Sequence, residues 1–188
     1  SQAPTICDWY NGSSIRSWGV NRGINNFYIQ NPGQLAIYPF AQLTANNLPA
    51  GTVDGATVLI EVGFQRAQDV LDMALPLSNI VATFQPQSGL LLLTGNATYV
   101  DYVTALRAVT FQTFSTSTAP RMVTWSFHRE TIFSTSTYHY YRYFPVSGGI
   151  TWSAADSNCR GLTVEGMQGY LTQLNGPEEA TLVSTKLG

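Results

Sequence analysis

The chain has 188 residues, nine Lys plus Arg against eleven Asp plus Glu, with 11% charged and 44% hydrophobic residues. That apolar content excludes a disordered chain, and the sparse, nearly balanced charge excludes an electrostatic hold on nucleic acid or an anionic membrane surface. No apolar run approaches the roughly 20 residues a membrane-spanning helix needs, so membrane insertion is not expected.

Residues 1–24 stand apart from the segments that follow. Their Trp9, Tyr10 and Trp18, set among Gly12, Gly19 and Gly23, predict an ordered extended arm that packs on something, because an indole ring is costly to leave in water. Ser1 opens neither a basic region nor an apolar signal core, so a leader has been removed or does not precede this sequence. Cys7 and Cys159 are too far apart in sequence for a zinc knuckle or a redox pair. They bridge each other, or Cys159 pairs with a group outside this chain; spacing leaves both open. Asn11-Gly-Ser13 and Asn96-Ala-Thr98 have the form of N-glycosylation acceptors.

From Asn25 to Phe144 short alternating segments are separated by turn residues, which predicts a mainly β, antiparallel sandwich. Thr57 to Val62 places Val58, Ile60 and Val62 on one face, and Ile80–Phe84, Leu90–Thr94, Ala108–Thr113, Arg121–Phe127 and Thr137–Phe144 repeat that length. One segment breaks the rhythm: Thr98-Tyr-Val-Asp101 reads as a capping box. Tyr99, Val103 and Leu106 then recur at helical spacing, predicting a helix of two to three turns. Scattered positions carry a family likeness: Pro32 to Ile37, Leu43-Thr44, Ala56 to Val58, Gln68 to Leu71, Gly89 to Gly95, Asp101-Tyr102, Ala105 to Thr110 and Trp125 to Phe127. In these the segment 25–144 resembles the cadherin-like repeats of surface adhesins. That resemblance implies an Ig-like sandwich and, in many members, calcium on an acidic cluster after the first strand. Here that place reads Leu43-Thr-Ala-Asn-Asn47, so the cluster is missing.

Beyond Phe144 only the short Pro145-Val-Ser-Gly-Gly149 stretch precedes the next predicted element, and the junction is expected to be rigid. Thr151 or Ser153 can cap a helix whose Trp152, Ala155 and Cys159 share a face. Gly169-Tyr-Leu171 reads as a short strand. Asn175 can then cap a second helix with Glu178 and Glu179 in its first turn and Lys186 in its last, matching the helix dipole. Ala180, Val183 and Leu187 give that helix an apolar face. The run from Tyr143 through Gly169-Tyr-Leu171 to Asn175-Gly-Pro-Glu-Glu-Ala180 resembles the opening of a C-type lectin-like domain. In that family the long loop region and the strands that hold calcium and sugar come later, and they are not in residues 145–188. The resemblance therefore implies a partial α+β fold without its ligand site.

Chemistry is thinly represented. Gly-x-Ser-x-Gly, a phosphate-cradling Gly-rich loop and His-Glu-x-x-His are all missing from the sequence. His128 and His139 fall on separate predicted strands and read as surface or strand-packing residues. Asp69 with Asp72, and Glu61 with Glu130, are the nearest carboxylate pairs for glycoside chemistry. Asp54, Asp69, Asp72 and Asp101 are the candidate oxygen ligands for calcium, without the Asp-x-Asp run that such sites favour. In Tyr138-His-Tyr-Tyr-Arg-Tyr-Phe144 both strand faces are aromatic, which makes Tyr138, Tyr140 and Tyr141 candidates for stacking on sugar or on a partner protein.

The expected function is a non-enzymatic, secreted or cell-surface structural or adhesion protein that associates with itself. Trp9, Tyr10 and Trp18 of the arm, with Tyr138, Tyr140, Tyr141, Val183 and Leu187, are the candidate contacts. Insertion of residues 1–24 into the next subunit would make a heterologous, filament-forming joint. The alternative is a fragment of a larger carbohydrate-binding, calcium-dependent adhesin.

Overall fold

A computed structural model describes residues 5–10, 22–27, 35–36, 50–117, 119–164 and 167–186, and for the first three stretches it describes the backbone path. The strands in chain order are β1 (Thr5–Tyr10), β2 (Arg22–Phe27), β3 (Leu35–Ala36), β4 (Thr52–Val62), β5 (Asp69–Met73), β6 (Val81–Gln85) and β7 (Leu90–Thr98). After α1 (Tyr99–Arg107) come β8 (Val109–Thr113), β9 (Arg121–Phe127), β10 (Thr131–Phe133) and β11 (His139–Phe144). Then follow α2 (Trp152–Arg160), β12 (Thr163–Val164), β13 (Met167–Gln168), β14 (Tyr170–Leu171) and α3 (Pro177–Lys186). The fold is thus mainly antiparallel β with three short helices among the described residues. It divides into a central unit, 15–130, and a terminal unit made of 1–14 with 131–188.

The central unit holds a five-stranded sheet in the order β2-β9-β4-β7-β6 and a three-stranded sheet in the order β3-β8-β5. Strand alternation supplies a shared core: Val58 and Ile60 of β4, Leu91 and Leu93 of β7, and Val123, Trp125 and Phe127 of β9 meet Leu71 of β5 and Phe111 of β8. The capping box forms as the sequence predicts. The Thr98 hydroxyl accepts from the Asp101 N–H at 3.1 Å, and an Asp101 carboxylate oxygen accepts from the Thr98 N–H at 3.1 Å. Helix α1 then buries Tyr99, Tyr102, Val103 and Leu106 in the same core, with Tyr99 edge-on to Phe127 at 5.0 Å. Gly95 lies inside β7, at the register shift of its pairing with β4. Its φ is +144°, and a Cβ there would stand 2.0 Å from the Asn79 carbonyl oxygen.

A buried ionic contact crosses between the sheets. Arg121, first residue of β9, donates from Nε to Asp69 Oδ2 at 2.8 Å, and Asp69 is the first residue of β5. Both side chains are at most 1% exposed. The Asp69 carboxylate also accepts from the Thr113 hydroxyl at 2.6 Å and from the Gln65 N–H at 2.7 Å, while Arg121 donates to the Ala119 carbonyl oxygen. Burying two charges costs several kcal/mol per ion unless attraction and hydrogen bonds offset it. Here every donor and acceptor aimed at the pair comes from loops and strands that must be in place together, so the pair fixes how the two sheets meet.

The terminal unit is built around a four-stranded sheet in the order β10-β11-β1-β14. Strand β1 pairs antiparallel with β11 from Thr5↔Phe144 to Tyr10↔His139, and with β14 at Cys7↔Leu171 and Asp8↔Tyr170. The boundaries therefore differ from those read in the sequence, 1–24, 25–144 and 145–188. Thr131–Phe144 belongs with the C-terminal segment, because β11 finds its partners in β10 and β1. The first part of the arm also differs from expectation: Thr5–Tyr10 lies inside this chain's own sheet, paired along its length with β11 and at Cys7 and Asp8 with β14. Helix α2 begins as foreseen, with the Thr151 hydroxyl accepting from the Ala154 N–H at 3.2 Å, and buries Ala155 and Cys159. Trp152, expected on that buried face, is 69% exposed.

Replacing Arg121 with Ala should lower the stability of the central unit by about 3–5 kcal/mol, because it leaves the Asp69 carboxylate buried without its cation. Urea unfolding followed by Trp fluorescence measures it. An Asp69→Asn/Arg121→Met pair should recover part of that loss, whereas a loss no larger than that of a surface substitution would show that the pair does not hold the sheets.

Candidate functional site

Strand β11 places the aromatic run on both faces of the terminal sheet, and a helix meets each face. On the even face Tyr140 packs with Phe133 at 5.1 Å between ring centroids and shares a core with Cys159 of α2. Phe144, Leu162, Met167 and Leu171 border that core, and the Arg142 guanidinium lies 5.1 Å over the Phe144 ring. On the odd face the Tyr141 hydroxyl donates to Glu179 Oε1 of α3 at 2.7 Å. Having a single proton, Tyr141 must then accept from the Thr137 hydroxyl at 2.8 Å. The second Glu179 oxygen accepts from the Asn175 N–H at 2.8 Å, which ties the carboxylate to the segment that leads into α3. His139, on the same face, reaches the Tyr170 hydroxyl from Nδ1 at 3.1 Å.

This arrangement corrects several sequence expectations. Tyr140 and Tyr141 are buried, 5% and 0% exposed, so they are structural and not open to sugar or a partner. Val183 is buried as well. Among the described residues of α3 the buried ones are Glu179, Leu182 and Val183; of the predicted face Val183 is one of them and Ala180 is half-buried, while Glu179 turns in to meet Tyr141. Leu187, Trp18 and Asn11 lie outside the described residues, and Trp9 and Tyr10 lie on β1, where the backbone alone is described. Tyr138 remains 45% exposed, at φ 60° in the turn between β10 and β11, with its ring 6.4 Å from Phe133.

The four calcium candidates go to four separate tasks. Asp69 serves the buried ion pair. Asp72 accepts from the N–H of its neighbour Met73 at 2.7 Å. Asp101 closes the capping box, and its carboxyl is held below the usual range first by the Thr98 hydroxyl and then by the Thr98 N–H. Asp54 accepts from the Arg129 N–H at 3.2 Å and stands 3.6 Å from His128 Nδ1. Among the described residues no three His, Cys, Asp or Glu side chains gather into a metal-binding group. The carboxylate pairs are not assembled either: Asp69 is buried and Asp72 exposed, and Glu130 pairs with its neighbour Arg129 at 3.1 Å. Asn96 is exposed on β7, with the Thr98 of its sequon engaged by Asp101.

Three interior ionisable residues, Arg121, Asp69 and Glu179, each carry a signal in the sequence. Arg121 shares strand parity with Val123, Trp125 and Phe127, which places it inward, and Asp69 shares parity with Leu71. Glu179 sits in the first turn of α3, where it also suits the helix dipole, but its i+3 and i+4 neighbours Leu182 and Val183 put it on the buried face.

Cys159 is wholly buried and disulfide-bonded, and Cys7 of β1 is the other cysteine of the sequence. No family model and no solved structure matches the chain. Halomucin of Haloquadratum walsbyi is 32% identical over 146 residues, which cover 73% of this chain and 2% of halomucin. The chain thus spans about 2% of the length of that curated relative.

Tyr141→Phe should destabilise the terminal unit by about 1–3 kcal/mol, since it strips a buried carboxylate of a donor. Loss of the β11 amide protection before that of β4, read by hydrogen exchange, locates the effect. Tyr102 offers a second check: burial, aided by the Asp54 charge, pushes its hydroxyl up to about 12. Because the folded value is raised, the stabilisation is complete below pH 10 and falls away as pH rises toward 12. The 295 nm difference titration between wild type and Tyr102→Phe should have its midpoint near that value, and Asp54→Asn should lower it.

Proposed function

We propose that this chain is a non-enzymatic, extracellular structural and adhesion module whose copies associate through surfaces other than β1. The observation that carries the extracellular setting is the disulfide at Cys159, since such bonds persist in oxidising compartments. The likeness to halomucin, a protein named as a mucin, supports a surface setting too. The non-enzymatic reading rests on where the interior polar groups are spent: Asp69 on Arg121 and Glu179 on Tyr141, contacts that hold sheets and helices in place. The cadherin-like and C-type lectin-like resemblances fit this reading, as does the exposed Trp152 at the start of α2, a large apolar surface open to a neighbour.

The second reading, a fragment of a larger calcium-dependent carbohydrate-binding adhesin, draws on the same lectin-like resemblance and on the match to a small share of a long protein. Sedimentation of the purified chain across a wide concentration range, with negative-stain microscopy, separates them. The structural reading predicts concentration-dependent association that weakens in Trp152→Ala. A chain that stays monomeric, yet binds immobilised glycans in a chelator-sensitive way, would overturn it in favour of the second.

A further inference from the structure

The central unit is inserted, in sequence, between the two parts of the terminal unit: β1 precedes it, and β10, β11, α2, β14 and α3 follow it. A pull on the two ends of the chain therefore reaches the terminal sheet before it reaches residues 15–130. The direction of the ladders decides what happens next. Thr5 lies opposite Phe144, so the chain enters β1 and leaves β11 at the same edge of that ladder. Leu171, where the chain leaves β14, lies opposite Cys7 near the start of β1. Outward tension thus opens both ladders one residue pair after another, and does not load all their hydrogen bonds together. Hydrogen bonds alone would yield early, and the central unit would then carry the load.

The disulfide changes that path. Cys159 is bonded, the sequence holds one other cysteine, and Cys7 sits in the middle strand of the sheet whose flank α2 covers. We propose that a Cys7–Cys159 bond makes this segment a tension bypass: force entering at one end crosses that bond and leaves by the other, and the whole central unit, enclosed in the loop from residue 8 to 158, stays unloaded. The bond stands where unzipping would otherwise begin to run inward, two residues past Thr5. The inference goes beyond the adhesion reading and does not need it, because the path follows from connectivity; for a surface module it would keep the central unit folded under shear.

The test is single-molecule force spectroscopy on the full chain with handles at Ser1 and Gly188. In oxidising buffer, unfolding should release only the residues outside the loop, about 13 nm at roughly 3.5 Å per residue. After dithiothreitol the same protein should show a further step of about 40 nm from the central unit, within a total of about 65 nm. The reductant supplies the two electrons and two protons that turn the S–S bond into two thiols, and itself closes to a cyclic disulfide. A Cys7→Ser/Cys159→Ser variant should show the long step without reductant; even if its terminal unit does not fold, the central unit has its own core and its step is still read. A step of about 40 nm in the oxidised wild type, or disulfide-linked dimers on a non-reducing gel, would overturn the inference. Self-association is read separately by sedimentation, so failure of either idea leaves the other standing.

Discussion

A six-residue strand from the beginning of the chain is held between two strands from its end, and the arrangement of the terminal unit follows from that pairing. With β1 in place, β11 is an interior strand, and its aromatic run is covered on both faces, by Cys159 of α2 and by Glu179 of α3. Without β1, β11 and β14 would have no common neighbour, and the four-stranded sheet would be reduced to a hairpin and a two-residue strand. The contact is also strongly non-local. The partners of Thr5–Tyr10 lie more than a hundred residues downstream, so closing that loop costs more chain entropy than the shorter hairpins of the central unit do.

Both units place ionisable groups in their interiors, and both satisfy them with hydrogen bonds from separate elements. In the central unit Asp69 gathers Arg121, Thr113 and the Gln65 N–H, joining the two sheets. In the terminal unit Glu179 gathers Tyr141 and the Asn175 N–H, joining a sheet face to the entry of α3. An apolar contact at either place would tolerate sliding. A carboxylate with defined partners does not, because a shifted element would leave charge buried and unpaired.

Local features were legible in the sequence, and the reasons are physical. The Thr98–Asp101 box and the spacing of Tyr99, Val103 and Leu106 announce α1, since capping and periodicity act within a few residues. The alternation of Val58 and Ile60, and of Val123, Trp125 and Phe127, announces their shared core. What was not legible was the partner of each strand. Tyr138 to Phe144 carries aromatic residues on both faces, a pattern equally consistent with a strand ending the central unit; pairing with β1, which nothing local encodes, decides its place. The candidate site fared likewise. Asp54, Asp69, Asp72 and Asp101 look alike as acidic residues in sequence, and their separate roles emerge once Arg129, Arg121, Met73 and Thr98 stand beside them.

The picture is of two units, one threaded through the other's chain path, in which charge is spent on holding elements together and the covalent bond at Cys159 secures the non-local sheet. Its central claim is that Thr5–Tyr10 belongs to the same cooperative structure as His139–Phe144. Native-state hydrogen exchange of the intact, oxidised chain tests it most directly. The amides of Ile6 to Trp9 should exchange with the same opening free energy as those of Tyr140 to Tyr143. Rapid exchange along β1 beside a protected β11 would contradict it.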